Sequence, residues 1–132
     1  MIVGIDFGTC YSSVATMQGE KVLSSITANV EDKNCGIPSI AMYSSREGRL
    51  VYGIDCLGPE GKKNKDWVIK YIKKMVRKNP QALGDIIKSN GHDFEVGDIL
   101  RGYLEYVVAA ITSSAKEVDG FDNYNIEAVT NF

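Results

Sequence analysis

The sequence contains few of the residues from which metal sites and disulfide frameworks are built. It has one histidine, His92, and three widely spaced cysteines, Cys10, Cys35 and Cys56, with no C-x-x-C pair. Zinc sites need several Cys or His ligands at close spacing, and disulfide frameworks need an even set of cysteines. Neither is therefore expected, and the cysteines are predicted to be reduced and structural. His92 is predicted to lie in a surface loop.

Charge of one sign is not in excess either. The chain carries 15 Lys and Arg against 17 Asp and Glu, for a net charge of −2, so no general attraction to nucleic acid or to an anionic membrane is expected. No apolar run reaches the length of about 18 residues that suggests a membrane span. Met1 leads into a predicted strand without the basic region of a signal peptide. The expected location is cytoplasmic.

Two common nucleotide-binding motifs are also missing. There is no G-x-x-x-x-G-K-[ST] loop and no G-x-G-x-x-G turn into a helix. The composition is nevertheless that of a folded domain, because 44% of the 132 residues are hydrophobic and 24% are charged. The length corresponds to one domain or to a part of one.

The segment 2–16, IVGIDFGTCYSSVAT, is predicted to be the functional centre. It opens with a β-branched run typical of a buried strand, and that strand ends at the carboxylate of Asp6. Gly8 and small or hydroxyl-bearing residues follow, and a second β-prone run begins at Tyr11. The pattern predicts a strand, a tight turn and a returning strand.

Such a turn has the chemistry to bind phosphate. Successive backbone N–H groups can form a concavity, and Gly8 allows a polyanion to approach the main chain. Thr9 could add a hydroxyl donor. A carboxylate repels phosphate unless a cation intervenes, so Asp6 implies Mg²⁺, held through water because Mg²⁺ dehydrates reluctantly. An ordinary β-hairpin without a ligand fits the same residues, and the local pattern does not separate the two.

The remaining chain is predicted to alternate strands with two main helices, which gives an α/β fold class. The turn dipeptide Asn90-Gly91 is expected to close a short helix or a strand pair over 81–91. The helical period predicts a basic helix over 67–77 and a long amphipathic helix over 95–118. The predicted strands are 21–26, 37–43, 50–53 and 126–130, and the predicted loops are 27–36 and 58–66.

Residues 4–15, GIDFGTCYSSVA, resemble the first phosphate motif of the actin-like ATPase superfamily. The Tyr-Ser-Ser-Val-Ala continuation is most similar to heat-shock chaperones of the DnaK type, whereas the Asp-x-Gly-Thr core alone also fits sugar kinases and bacterial actins. Pro38-Ser39 and the segment IEAVT, 126–130, resemble later strands of the same chaperones, in the same order. The segment from Gly53 to Cys56 resembles their entry into a short helix, so a short helix is expected from Gly53. Agreement in order across several segments supports the resemblance more than one motif does.

The resemblance implies a ribonuclease H-like (actin-like ATPase) N-terminal lobe, with a mixed sheet that contains an antiparallel meander and packed helices. The chain, 1–132, would be a single partial domain, the first part of that lobe. The implied function is binding and hydrolysis of ATP with Mg²⁺ by a molecular chaperone. In the parent protein the implied partners are unfolded peptide clients and co-chaperones.

The resemblance also implies roles for residues of the turn. Gly8, Thr9, Cys10 and Tyr11 would cradle the β- and γ-phosphates, and Asp6 would orient the metal-bound waters. Cys10 stands where the chaperones usually carry Thr, which removes one hydroxyl from the site.

The basic helix resembles the chaperone segment whose lysine reaches toward the γ-phosphate. The match of Ile72-Lys73-Lys74-Met75 to the family's Ile-Lys-Arg-Leu selects Lys73 as the second catalytic candidate beside Asp6. Lys70 lies one helical turn away on the same predicted side and is the alternative. A basic face that only contacts solvent explains the same residues.

Two other interpretations stay open: a sugar kinase or filament-forming actin relative, and an actin-like scaffold without catalytic activity. In the superfamily, a second phosphate loop and the adenosine-binding segment lie on a portion that the chain does not include. Phosphoryl transfer needs preorganised groups on all sides of the phosphate. The chain alone is therefore expected to bind ATP weakly or not at all, and not to hydrolyse it.

Overall fold

The computed structural model describes residues 2–18, 21–26, 36–115 and 127–131. Its strands are β1 Ile2–Phe7, β2 Tyr11–Gln18, β3 Lys21–Ile26, β4 Ile37–Pro38, β5 Ala41–Ser44, β6 Arg49–Tyr52, β7 Ile86–Ser89, β8 His92–Glu95 and β9 Glu127–Asn131. Its α-helices are α1 Pro59–Lys63, α2 Ile72–Lys78 and α3 Val96–Ala115. Short 3₁₀ helices cover Gly53–Leu57, Lys65–Trp67 and Pro80–Gly84.

The main sheet has the strand order β3-β2-β1-β9, and β4 adds a short antiparallel pairing to β2. The first three strands form an antiparallel meander, as the sequence predicts, and β9 lies parallel to β1. Two separate hairpins, β5–β6 and β7–β8, complete the strand pairing of the described residues. The protein is thus a mixed α/β fold with small, largely antiparallel sheets and helices.

Helix α3 covers one face of the main sheet. Side chains alternate in direction along a strand, so β1 turns three apolar side chains toward α3 and leaves Asp6 on the opposite face. Complete burial of side chains of this size contributes about 1.5–3 kcal/mol each. The buried cluster consists of Val3, Ile5, Phe7, Val14, Ile37, Tyr103, Val107 and Ile111.

A second apolar cluster holds α2 beside the sheet. Ile72 and Val76, one turn apart on α2, are buried together with residues from the start of α3. The remaining buried members are Ala41, Ile69, Val96 and Ile99. This cluster fixes the position of α2, and with it the position of Lys73.

Several predictions about the outer elements are wrong in their bounds. The basic helix begins at Ile72 and not at residue 67, because Tyr71 has a left-handed backbone with φ 62° and Ile69 pairs with Ala41. The predicted loop 58–66 contains α1, which has Pro59 in its first turn, a position that suits proline. The predicted strand 37–43 is interrupted between β4 and β5.

Other predictions are confirmed. A 3₁₀ helix begins at Gly53, Asn90 and Gly91 form the turn between β7 and β8, and α3 covers most of the predicted long helix. Residues 19–20, the part of the predicted loop from 27 to 35, which includes Cys35, and residues 116–118 of the predicted long helix lie outside the described residues. Among the helices that the structure describes, none has the length and apolar character needed to cross a membrane.

Shortening the core side chain Ile99 should destabilise the fold. Ile99 is fully buried between α2 and α3, so Ile99→Ala should lower the free energy of unfolding by about 3 kcal/mol through lost burial and a cavity. Ile86→Ala is the matched control, because Ile86 is 60% exposed, and it should stay within about 0.5 kcal/mol of the parent. Urea unfolding followed by circular dichroism measures both. Equal losses in the two variants would contradict the assigned core.

Candidate phosphate-binding hairpin

Gly8, Thr9 and Cys10 form the tight turn between β1 and β2. The backbone at Gly8 approaches the opposite strand so closely that a Cβ atom there would collide with the carbonyl oxygen of Tyr11. Glycine is therefore required by space, although its φ lies outside the left-handed region. Thr9 and Cys10, at the tip of the turn, are exposed to solvent.

The two sides of this turn differ in their hydrogen bonding. The carbonyl oxygens of Gly8 and Cys10 both accept from Ser39, from its hydroxyl at 2.9 Å and from its backbone N–H at 2.8 Å. Within the described part of the chain, the backbone N–H groups of Thr9 and Cys10 donate no hydrogen bond. The turn therefore has two unbonded amide donors on exposed residues, as the phosphate-binding hypothesis requires.

Three buried hydroxyls lie beneath the turn. The Ser12 and Ser39 oxygens are 2.9 Å apart, and the Tyr103 hydroxyl donates to the carbonyl of Ile37 at 3.3 Å. Burial raises the pKa of Tyr103, and hydrogen bonds with the two serines offset part of that rise. The network connects the turn to helix α3 in the core.

Lys73 reaches the turn from α2. Its ammonium group donates a 2.6 Å hydrogen bond to the carbonyl oxygen of Phe7, the last residue of β1, and its side chain is half-buried. An ammonium carries further N–H groups that this one bond does not use. The structure thus places a positive charge next to the residue that begins the turn.

Lys70 lies on another side of the turn. It precedes α2, is exposed, and lines a cavity of about 270 Å³ together with Thr9, Cys10, Tyr11 and Tyr71. The left-handed backbone at Tyr71 separates the two lysines, so they do not share one helical face, contrary to the expectation from the sequence. Both come to the turn, but Lys73 has the direct bond to the strand that carries Asp6.

Asp6 is exposed on the face of the sheet that points away from α3. It pairs with Ser13 across β2 and with Asn131 along β9, and it lies two positions before Gly8. Among the residues that the structure describes, no three His, Cys, Asp or Glu side chains are grouped so that they could hold a metal ion. A metal bound here would depend on Asp6 through its water shell and on ligand oxygens.

Three further residues contribute to the site without having been assigned a role from the sequence. Ser39 is 1% exposed and contacts both turn carbonyls, yet the sequence marks it only through the Pro-Ser resemblance. Ser12 is fully buried, and the signal for this was its position on the same strand face as Val14. Tyr71 has a positive φ, and nothing in the sequence predicts this conformation, since it is rare for a tyrosine.

Adding one methyl group at Gly8 should disturb the turn. Gly8→Ala forces the Cβ against the Tyr11 carbonyl, and overpacking of this kind costs about 1–3 kcal/mol. Gly84→Ala is the matched control, because no atom lies within 4 Å of its added Cβ. Thermal unfolding of both variants tests the difference, and a Gly8→Ala protein as stable as the Gly84→Ala protein would contradict the turn geometry.

The two described cysteines should differ sharply in reactivity. Cys56 is 1% exposed, and burial, aided by Asp55, raises its pKa to about 12, whereas Cys10 is exposed. Iodoacetamide at pH 8 should alkylate Cys10 in the folded protein and spare Cys56 until denaturant is added. Peptide mass spectrometry distinguishes the two, and early labelling of Cys56 would refute its burial.

The same raised pKa has a consequence for stability. The folded state keeps the Cys56 thiol protonated at pH values where the unfolded chain has lost this proton. The free energy of unfolding should therefore fall as pH rises from about 9 toward about 12.

In comparisons with known proteins, no protein-family model matches the chain and no curated protein matches it. The chemistry of the site therefore follows from its own residues. Exposed turn amides, a lysine ammonium at the adjoining strand end and a nearby carboxylate occur together at one end of β1.

Proposed function

We propose that the chain contributes the first phosphate-binding hairpin of a Mg²⁺-dependent, actin-like ATPase domain of the DnaK chaperone type. The observation that carries the proposal is the combination of unbonded amides at the exposed residues Thr9 and Cys10 with the Lys73 ammonium at the carbonyl of Phe7. An ordinary β-hairpin needs the turn, but it has no need of a half-buried lysine at its base.

Each predicted residue has a task in this proposal. The N–H groups of the turn, Gly8 to Tyr11, would donate to the β- and γ-phosphate oxygens. Lys73 would place positive charge beside the γ-phosphate, where negative charge accumulates during transfer. Asp6 would hold a Mg²⁺ ion through its bound water molecules, and the phosphates would supply the other oxygens that Mg²⁺ prefers. The positive charge of the metal would offset the repulsion between the carboxylate and the phosphates.

The architecture supports the same assignment. A meander of three antiparallel strands, followed by a long helix and a strand parallel to β1, is compatible with the ribonuclease H-like lobe that the resemblance implies. In this proposal the chain is the first part of such a lobe in a cytoplasmic chaperone with ATP, peptide clients and co-chaperones as partners. The other wall of the nucleotide cleft would come from another part of that protein.

The proposal also explains why the chain alone should bind weakly. A hydrogen bond to a charged group contributes about 1.5–3 kcal/mol, and this turn supplies only a few of them. An affinity of 1 mM corresponds to about −4 kcal/mol. Millimolar binding without hydrolysis is therefore the expectation for the chain by itself.

Titration of the ¹⁵N-labelled chain with MgATP tests the proposal, because NMR detects millimolar binding residue by residue. The amides of Thr9 and Cys10 should shift, and Lys73→Met should weaken binding about tenfold or more through loss of one charged contact. Lys74→Met is the matched control, since Lys74 is an exposed neighbour on the same helix, and it should change the affinity less than about twofold.

One further variant and one measurement without Mg²⁺ test the roles of the lysines and of Asp6. Lys70→Met decides between the two lysines, and an effect equal to that of Lys73→Met would assign the phosphate contact to both. Omitting Mg²⁺ should remove most of the affinity of the parent chain for ATP. The affinity of the Asp6→Asn variant should change much less when Mg²⁺ is omitted. Shifts confined to residues distant from the turn, or no shifts at tens of millimolar MgATP, would refute the proposal.

A further inference from the structure

We infer that Ser39 is a positioning residue for the hairpin, which fixes the direction of the Thr9 N–H group toward the phosphate side. The significance for phosphate rests on the proposed function, but the structural role of Ser39 does not. The inference goes beyond the hairpin itself, because Ser39 is distant in sequence and neither charged nor exposed.

Ser39 directs both of its hydrogen-bond donors to the turn. Its hydroxyl donates to the carbonyl of Gly8 at 2.9 Å, and its backbone N–H donates to the carbonyl of Cys10 at 2.8 Å. The residue is 1% exposed, so water cannot substitute easily for either contact. Two carbonyls of the turn, on either side of Thr9, are thus held by a single residue.

Because a peptide group is planar, a contact that fixes a carbonyl oxygen also fixes the direction of the N–H in the same peptide unit. The carbonyl of Gly8 and the N–H of Thr9 belong to one trans peptide unit, so they point in opposite directions. When Ser39 holds the Gly8 oxygen on the protein side, the Thr9 N–H must face outward. Rotation of this unit would turn a carbonyl oxygen toward the phosphate and replace attraction by repulsion.

The hydroxyl of Ser39 is itself held in one orientation. It has a single proton, and that proton is used for Gly8, so the Ser12 hydroxyl must donate to Ser39 across their 2.9 Å contact. Tyr103 in turn directs its proton to the carbonyl of Ile37. The donors therefore run from Ser12 through Ser39 to Gly8, and helix α3 lies beside them, with its Tyr103 ring packed on Phe7 at 5.4 Å between ring centroids.

Ser39→Ala tests the inference, because it removes the hydroxyl contacts to Gly8 and Ser12 and keeps the backbone contact to Cys10. In the labelled full chain, the ¹³C shift of the Gly8 carbonyl and the ¹⁵N–¹H resonance of Thr9 should both move, and the Thr9 signal should broaden as the peptide samples two orientations. Affinity for inorganic tripolyphosphate with Mg²⁺ should fall about fivefold or more.

Ser89→Ala is the matched control. Ser89 is also 1% exposed, and its hydroxyl also has two partners, accepting from the Tyr43 N–H at 2.8 Å and donating to the Trp67 carbonyl at 2.6 Å. Both variants lose a buried hydroxyl with two partners, so a similar loss of stability in urea is expected. Only Ser39→Ala should change the Gly8 and Thr9 signals and the affinity.

A conservative variant separates positioning from general damage. Ser39→Thr keeps the hydroxyl and should restore the Gly8 carbonyl shift and most of the affinity. If Ser39→Ala leaves the Gly8 and Thr9 signals unchanged, or if Ser89→Ala changes them equally, the inference is overturned.

Failure of the parent chain to bind tripolyphosphate at all would count against the proposed function instead. In that case the Gly8 carbonyl shift alone would decide the role of Ser39.

Discussion

The packing of β1 against helix α3 is the constraint on which the rest of the structure depends. Val3, Ile5 and Phe7 point toward the helix, and the period of a strand then puts Asp6 on the other face. A shift of one residue in register would bury the carboxylate and expose the apolar side chains. The end of β1 is therefore fixed, and the turn, the Lys73 contact and the Ser39 contacts are all arranged around that fixed end.

Much of the fold could be predicted from local sequence because the relevant signals are local. The β-branched run before Asp6 gave β1, the glycine at position 8 gave the turn, and the apolar spacing over 95–118 gave α3. The dipeptide Asn90-Gly91 gave the β7–β8 turn, with Asn90 in the left-handed conformation that such turns need. In each case the residues that carry the signal also make the structure.

The features that sequence reasoning missed depend on contacts between distant segments. The start of α2 is set by the pairing of Ile69 with Ala41 and by the left-handed backbone at Tyr71. Neither feature can be recognised from the spacing of apolar residues in the sequence. The role of Ser39 arises from contacts with residues about thirty positions earlier, and a serine in a strand predicts none of them. The turn and the lysine of the candidate site could accordingly be predicted from the sequence, whereas the Ser39 contacts that support the turn could not.

The hydrogen bond from Lys73 to Phe7 joins two apolar clusters that also share helix α3. Lys73 follows Ile72, which belongs to the cluster that holds α2, whereas Phe7 belongs to the cluster between β1 and α3. A displacement of α2 relative to β1 would stretch or break this hydrogen bond. The distance of the ammonium group from the strand end therefore depends on the position of α2, so the geometry of the hairpin site and the placement of that helix are mechanically coupled.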